Sequence, residues 1–127
     1  METEFVNVRY MVSDVEASVE WYAKHLGFTP ITRQLPAFAD VRRGSLRLLL
    51  SGPQSSAGRA MSDGEQPVPG GWNRIHLVVD NLADEVARLK AGGARFRNEV
   101  VTGPGGSQVL LVDPSGNLVE LFQPARH

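Results

Sequence analysis

The sequence predicts an α+β fold of two tandem β-α-β-β-β units whose curved mixed sheets surround a ligand cleft. Three observations carry this. A run of strand-like alternation is followed by helical spacing and then by three short strand-like runs. The same order returns after a Gly-, Pro- and Ser-rich stretch, which is the mark of an internal repeat. The length of 127 residues suits one domain with a real core rather than two. The chain therefore divides into a first unit over 1–51, a linker over 52–71 and a second unit over 72–127.

The first unit opens with FVNVRYMV, in which Val8, Tyr10 and Val12 share one face and Asn7, Arg9 and Met11 the other. In SDVEASVEWYAKHLG, Ser13 and Glu16 form a capping box, and Val15, Val19, Tyr22 and Leu26 keep helical spacing. Gly27 suits the left-handed position that ends a helix. FTPITR, PAFADVRR and SLRLLLS then supply three strands, divided by Pro36 and Gly44. Residues 52–71 carry no periodicity and read as a long surface loop. In the second unit, WNRIHLVV alternates as a strand, and a helix capped by Asp80 or Asn81 places Leu82, Val86 and Leu89 on one face. ARFRNEVV, SQVLLVD and NLVELFQ give three more strands, the last two joined by the turn DPSGN.

Alternation assigns two faces to each sheet. A turn at Arg43-Gly44 sets Ala39, Val41, Leu46, Leu48 and Leu50 beneath the first helix. The opposite face carries Phe38, Asp40, Arg42, Arg47, Leu49 and Ser51, joined by Phe5, Asn7, Arg9 and Met11 of the first strand. In the second unit, Trp72, Arg74, His76 and Val78 point into the cleft, as do Gln108, Leu110, Leu118, Glu120 and Phe122. Aromatic rings beside arginines suit an organic ligand with planar rings and polar edges. The plainer reading is internal pairing, Arg74 with Glu120 and Asp40 with Arg47.

Composition excludes several classes. Lys and Arg number 13 against 14 Asp and Glu, with no dense basic run, so nucleic acid is not an expected partner. The absence of cysteine removes disulfides and thiol chemistry. No stretch approaches the roughly 20 apolar residues of a membrane span, and METEFVNVRY is unlike a signal peptide, so a cytoplasmic protein is expected. GPGGS, at 103–107, precedes a strand and reads as a turn rather than a phosphate cradle. LVDPSGN has no placed histidine base, which argues against a nucleophilic triad.

VSDVEASVEWYAKHLGF and DPSGNLVELFQP resemble the vicinal-oxygen-chelate superfamily of glyoxalase I, extradiol dioxygenases and bleomycin-resistance proteins. The resemblance implies eight strands around a cavity, commonly in a homodimer. It also implies metal ligands, in the members that use them, on the first and last strands of each unit. The matching positions here are Asn7, Leu49, Arg74 and Glu120, of which only Glu120 keeps a ligating side chain. His76 lies two residues past its ligand position and faces the same way, but His25 falls on the first helix and His127 at the terminus. No metal and no cofactor are therefore expected. The expected function is sequestration of an aromatic or polycyclic natural product, of the antibiotic-resistance type. The expected contacts are Phe5, Asn7, Arg9, Phe38, Asp40, Arg47, Leu49, Trp72, Arg74, His76, Gln108, Leu110, Glu120 and Phe122. The alternative is a glyoxalase-like lyase, isomerase or dioxygenase. In a metal-free form, His76 and Glu120 would be its acid-base pair.

Overall fold

The computed structural model describes residues 4–126; His127 lies outside them. The fold is α+β, with two helices and two mixed sheets. Strand β1 (Val6–Met11) leads into α1 (Val15–Leu26), followed by β2 (Thr29–Gln34), β3 (Phe38–Arg43) and β4 (Leu46–Ser51). The second unit runs β5 (Ile75–Val78), α2 (Leu82–Ala91), β6 (Arg95–Phe96), β7 (Val101–Gly103), β8 (Gly106–Val112) and β9 (Leu118–Pro124). One sheet has the order β1-β4-β3-β2. The other has β5-β9-β8-β6, with β7 also pairing β8. In each, the first strand runs parallel to the last and the remaining pairs are antiparallel, and neither sheet closes on itself.

The helix-side faces are as alternation predicts. Ala39, Val41, Leu48 and Leu50 are fully buried beneath α1, with Val15, Val19, Tyr22 and Leu26 packed on them. In the second unit Val109, Leu111, Val119 and Leu121 are buried with Leu82 and Leu89 of α2. One continuous apolar cluster joins the two units. Each fully buried leucine contributes about 1.5–3 kcal/mol relative to an exposed one.

Local details differ in three places. The cap of α1 is Asp14, not Ser13: Asp14 Oδ1 accepts the Ala17 N–H at 3.0 Å, while the Ser13 N–H goes across the chain to Ser115 Oγ at 2.8 Å. At α2, of the two caps that the sequence offered, Asn81 is the one used, and it accepts the Asp84 N–H. The β3–β4 turn is Gly44-Ser45, because Arg43 pairs with Leu46, and Gly44 takes a φ of 59° that favours glycine. Within ARFRNEVV only Arg95–Phe96 form a strand, and a separate short strand starts at its last residue, Val101, so nine strands are described instead of eight. The break arises where Asn98 Oδ1, a side-chain atom, takes the Leu110 N–H that a continuing strand would have bonded with its backbone. The 52–71 loop is tied down locally, with Ser55 bonded to Gly52 and Gly58, and at its end the Gly70 N–H bonds Asn117 Oδ1.

The edge strands β1 and β5 meet through one side chain. The Tyr10 hydroxyl accepts the Ile75 N–H at 2.8 Å and donates to the Leu118 carbonyl at 2.6 Å. The helix ends meet as well, where Arg88 donates to the carbonyl of buried His25 at 2.9 Å. Burial, with the cations Lys24 and Arg88 nearby, holds the His25 imidazole below the ordinary value of 6.5. The unfolded chain therefore binds a proton that the folded chain resists, so stability should fall as pH drops below about 6.5. Thermal melts between about pH 5 and pH 8 should show this slope in the native chain and a shallower one in His25→Gln. Equal slopes in the two proteins would remove His25 as the cause.

Candidate functional site

The faces turned away from the helices gather the residues singled out by alternation. Register places Asn7, Arg47 and Arg42 in one row across the first sheet, and Arg9, Leu49 and Asp40 in the next. In the second sheet His76, Glu120 and Leu110 form a row, followed by Val78, Phe122 and Gln108. These open faces are wet at several points: the His76 side chain is 45% exposed, and Trp72 is 64% exposed. Leu110 departs from that, since it is buried in a small cluster with Val112 and Leu118.

Glu120 is the centre of the second face. Its side chain is only 10% exposed, and Oε1 accepts two hydrogen bonds from Arg74, from Nε at 3.0 Å and from Nη2 at 2.9 Å. Arg74 Nη1 donates to the Trp72 carbonyl at 3.3 Å, which pins the guanidinium along a third edge. His76 Nε2 lies 3.4 Å from the other carboxylate oxygen, and its ring rests on Phe122 with centroids 4.9 Å apart. On the first face, buried Asp40 accepts the Thr32 N–H at 2.7 Å and Arg47 Nε at 2.6 Å. A register shift between Pro30 and Thr32 marks the place where this carboxylate meets β2. Both internal ion pairs weighed from the sequence are therefore present. Arg9 instead donates to Ser51 Oγ at 2.7 Å, Arg42 lies 4.7 Å from the Phe5 ring centroid, and Arg97 lies 5.5 Å from that of Trp72.

The donor set does not fit the family's metal centre. Leu49 offers no donor, and at the Arg74 position a permanent cation sits on the single remaining carboxylate. Among the described residues, no three His, Cys, Asp or Glu side chains cluster as a metal site.

A cavity of about 350 Å³ opens beside this pair, at the seam between β1, β5 and the end of the 52–71 loop. Arg9, Met11, Asn73, Arg74, Val68 and Gly70 line it. Of the nominated contact residues it brings together only Arg9 and Arg74; the others lie on the open faces. Sequence reasoning missed Asn73, which alternation assigns to the opposite face, and Val68 and Gly70, which carry no periodic signal. It also missed Arg95, which register with Val112 places on the open face of the second sheet. The alternation within ARFR was the signal for Arg95.

This fold has known relatives. The model of the Glyoxalase/Bleomycin resistance protein/Dioxygenase superfamily matches residues 5–121, and the chain belongs to that family. Among solved structures, the chain is similar to a lactoylglutathione lyase from Agrobacterium tumefaciens, with 20% identity, a TM-score of 0.76 and coverage of 97% of this chain and 95% of that one. It is similar to TnmS3, an antibiotic binding protein from Streptomyces sp. CB03234, with 23% identity, a TM-score of 0.73 and 98% of each chain covered. It is likewise similar to a superfamily member from Sphaerobacter thermophilus DSM 20745, with 25% identity, a TM-score of 0.75 and coverage of 97% of this chain and 98% of that one. No curated protein matches the sequence. The superfamily thus spans binding proteins and enzymes, and no helix among the described residues is long and apolar enough to cross a membrane.

Proposed function

We propose that the protein binds an aromatic or polycyclic natural product and sequesters it unchanged, without a metal, as a homodimer. The observation that carries this reading is the Arg74–Glu120 pair. It ties up the one carboxylate of the family's ligand positions and leaves a fixed polar edge beside exposed aromatic surface. The cavity lies near the lower end of the roughly 300–1,000 Å³ usual for ligand pockets, so it suits one end of a larger molecule. The rest of that molecule would lie on Trp72, Phe122 and Phe38, and a second copy of the chain would cover it. Likeness to an antibiotic binding protein is consistent with this reading.

Trp72 is the test. Ligand binding should change its emission, and Trp72→Ala should weaken affinity by about 1–3 kcal/mol, as for a central aromatic anchor. The ligand should be recovered unchanged after long incubation, and purified protein should carry no stoichiometric divalent metal. One equivalent of metal near Glu120 would refute the metal-free part, and a monomer by light scattering the dimeric part.

The second reading is a metal-free enzyme, favoured by the 3.4 Å approach of solvent-accessible His76 to Glu120. Glu120 would orient the imidazole, and the imidazole would move a proton on the ligand. Turnover that disappears in both His76→Gln and Glu120→Gln would decide for it.

A further inference from the structure

We propose that the ligand is an organic anion, whose negatively charged group enters the seam cavity against Arg9 while its rings lie on the open faces. This rests on the aromatic-ligand reading and adds the charge that the ligand carries.

The argument starts from how charge is distributed. The open faces hold six arginines, Arg9, Arg42, Arg47, Arg74, Arg95 and Arg97, against two carboxylates, Asp40 and Glu120. Each carboxylate is taken by one arginine, Asp40 by Arg47 and Glu120 by Arg74. Among the described residues, Arg9, Arg42, Arg95 and Arg97 pair with no carboxylate. A surplus of four positive charges thus sits on these faces in a chain whose net charge is −1. Six acids sit at the helices, Asp14, Glu16 and Glu20 at α1 and Asp80, Asp84 and Glu85 at α2, against the helical cations Lys24, Arg88 and Lys90. Such a separation makes a field that draws anions to one side of the molecule.

Position narrows the choice to Arg9. Arg74 also lines the cavity, but it has donated from Nε, Nη1 and Nη2 to Glu120 and Trp72, and its charge is balanced. Arg9 has one bond, from Nη1 to the neutral Ser51 hydroxyl, so its charge is uncompensated and most of its five N–H groups remain available. Asn73 lines the same cavity and adds an uncharged donor. A carboxylate, sulfonate or phosphate there would meet a planar guanidinium able to bind two oxygens at once. A neutral ligand would leave the guanidinium with water alone.

Two dyes of matched skeleton separate the possibilities: anilinonaphthalene sulfonate and neutral N-phenylnaphthylamine. The sulfonate should bind at least about tenfold more tightly, the size expected of a hydrogen bond to a charged group. That preference should shrink between about 20 mM and about 500 mM salt. Arg9→Gln should remove most of it and Arg9→Lys should keep most of it, with the sulfonate's affinity falling more than the neutral dye's in Arg9→Gln. Circular dichroism melts check that both variants fold. Equal binding of the two dyes, or a sulfonate preference untouched in Arg9→Gln, overturns the anion assignment and leaves the aromatic reading standing. Binding of neither dye overturns both.

Discussion

Replacing Asp113 by Ala should lower stability by about 3–5 kcal/mol, since buried donors left without a partner cost about 1–3 kcal/mol each. Asp113 is 1% exposed and accepts four hydrogen bonds. The Tyr22 hydroxyl reaches it at 2.8 Å from the first unit, and the Ser115 N–H, Asn117 N–H and Asn117 Nδ2 reach it at 2.8, 2.9 and 3.1 Å within the turn. Tyr22 is itself fully buried, and burial beside this carboxylate pushes its phenol far above the ordinary tyrosine value, so it stays a donor. Ala strands the Tyr22 hydroxyl and the Asn117 N–H together. Asn can still accept the two turn N–H groups, so its loss should be smaller. Urea unfolding of the three proteins measures the order. A loss under about 1 kcal/mol for Ala would mean that water enters and takes over these bonds.

Tyr10→Phe should cost about 2–4 kcal/mol, because two buried backbone groups, the Ile75 N–H and the Leu118 carbonyl, lose their partner at once. The ring stays, so packing is nearly unchanged and the loss reports the hydrogen bonds. Burial raises the Tyr10 phenol to about 12, which keeps it protonated through the working range. The expected change is a lower denaturation midpoint with an unaltered slope. A wild-type midpoint would show that the Tyr10 hydroxyl adds nothing to the joint between the units.

Both variants act on the joint between the units, and the sequence carries that joint in disguise. DPSGN reads as a hairpin turn, and it is one. Yet Asp113 also holds Tyr22, Ser115 holds the Ser13 N–H, and Asn117 holds the Met11 carbonyl. The motif that carries much of the family resemblance is thus a clamp between the units.

The sequence by itself determined the repeat, both helices and the two faces of each sheet. These depend on neighbours one to four residues apart, so Val8, Tyr10 and Val12 must share a face whatever surrounds them. It also limited Arg74 and Glu120 to the same cleft-facing side, where opposite charges find each other. Only the tertiary structure decided that Tyr10 bridges to Leu118, 108 residues away, that Asp14 rather than Ser13 caps α1, and that ARFRNEVV breaks at Asn98. At both the α1 cap and Asn98 two local solutions were open, and a partner elsewhere in the chain chose between them: Ser115 by accepting the Ser13 N–H, and Leu110 by donating its N–H to the Asn98 side chain. The cavity beside Arg9 is likewise a product of two edge strands and a loop meeting. Periodicity along one strand fixes which way a side chain points, but the space it points into is fixed by what packs beside it.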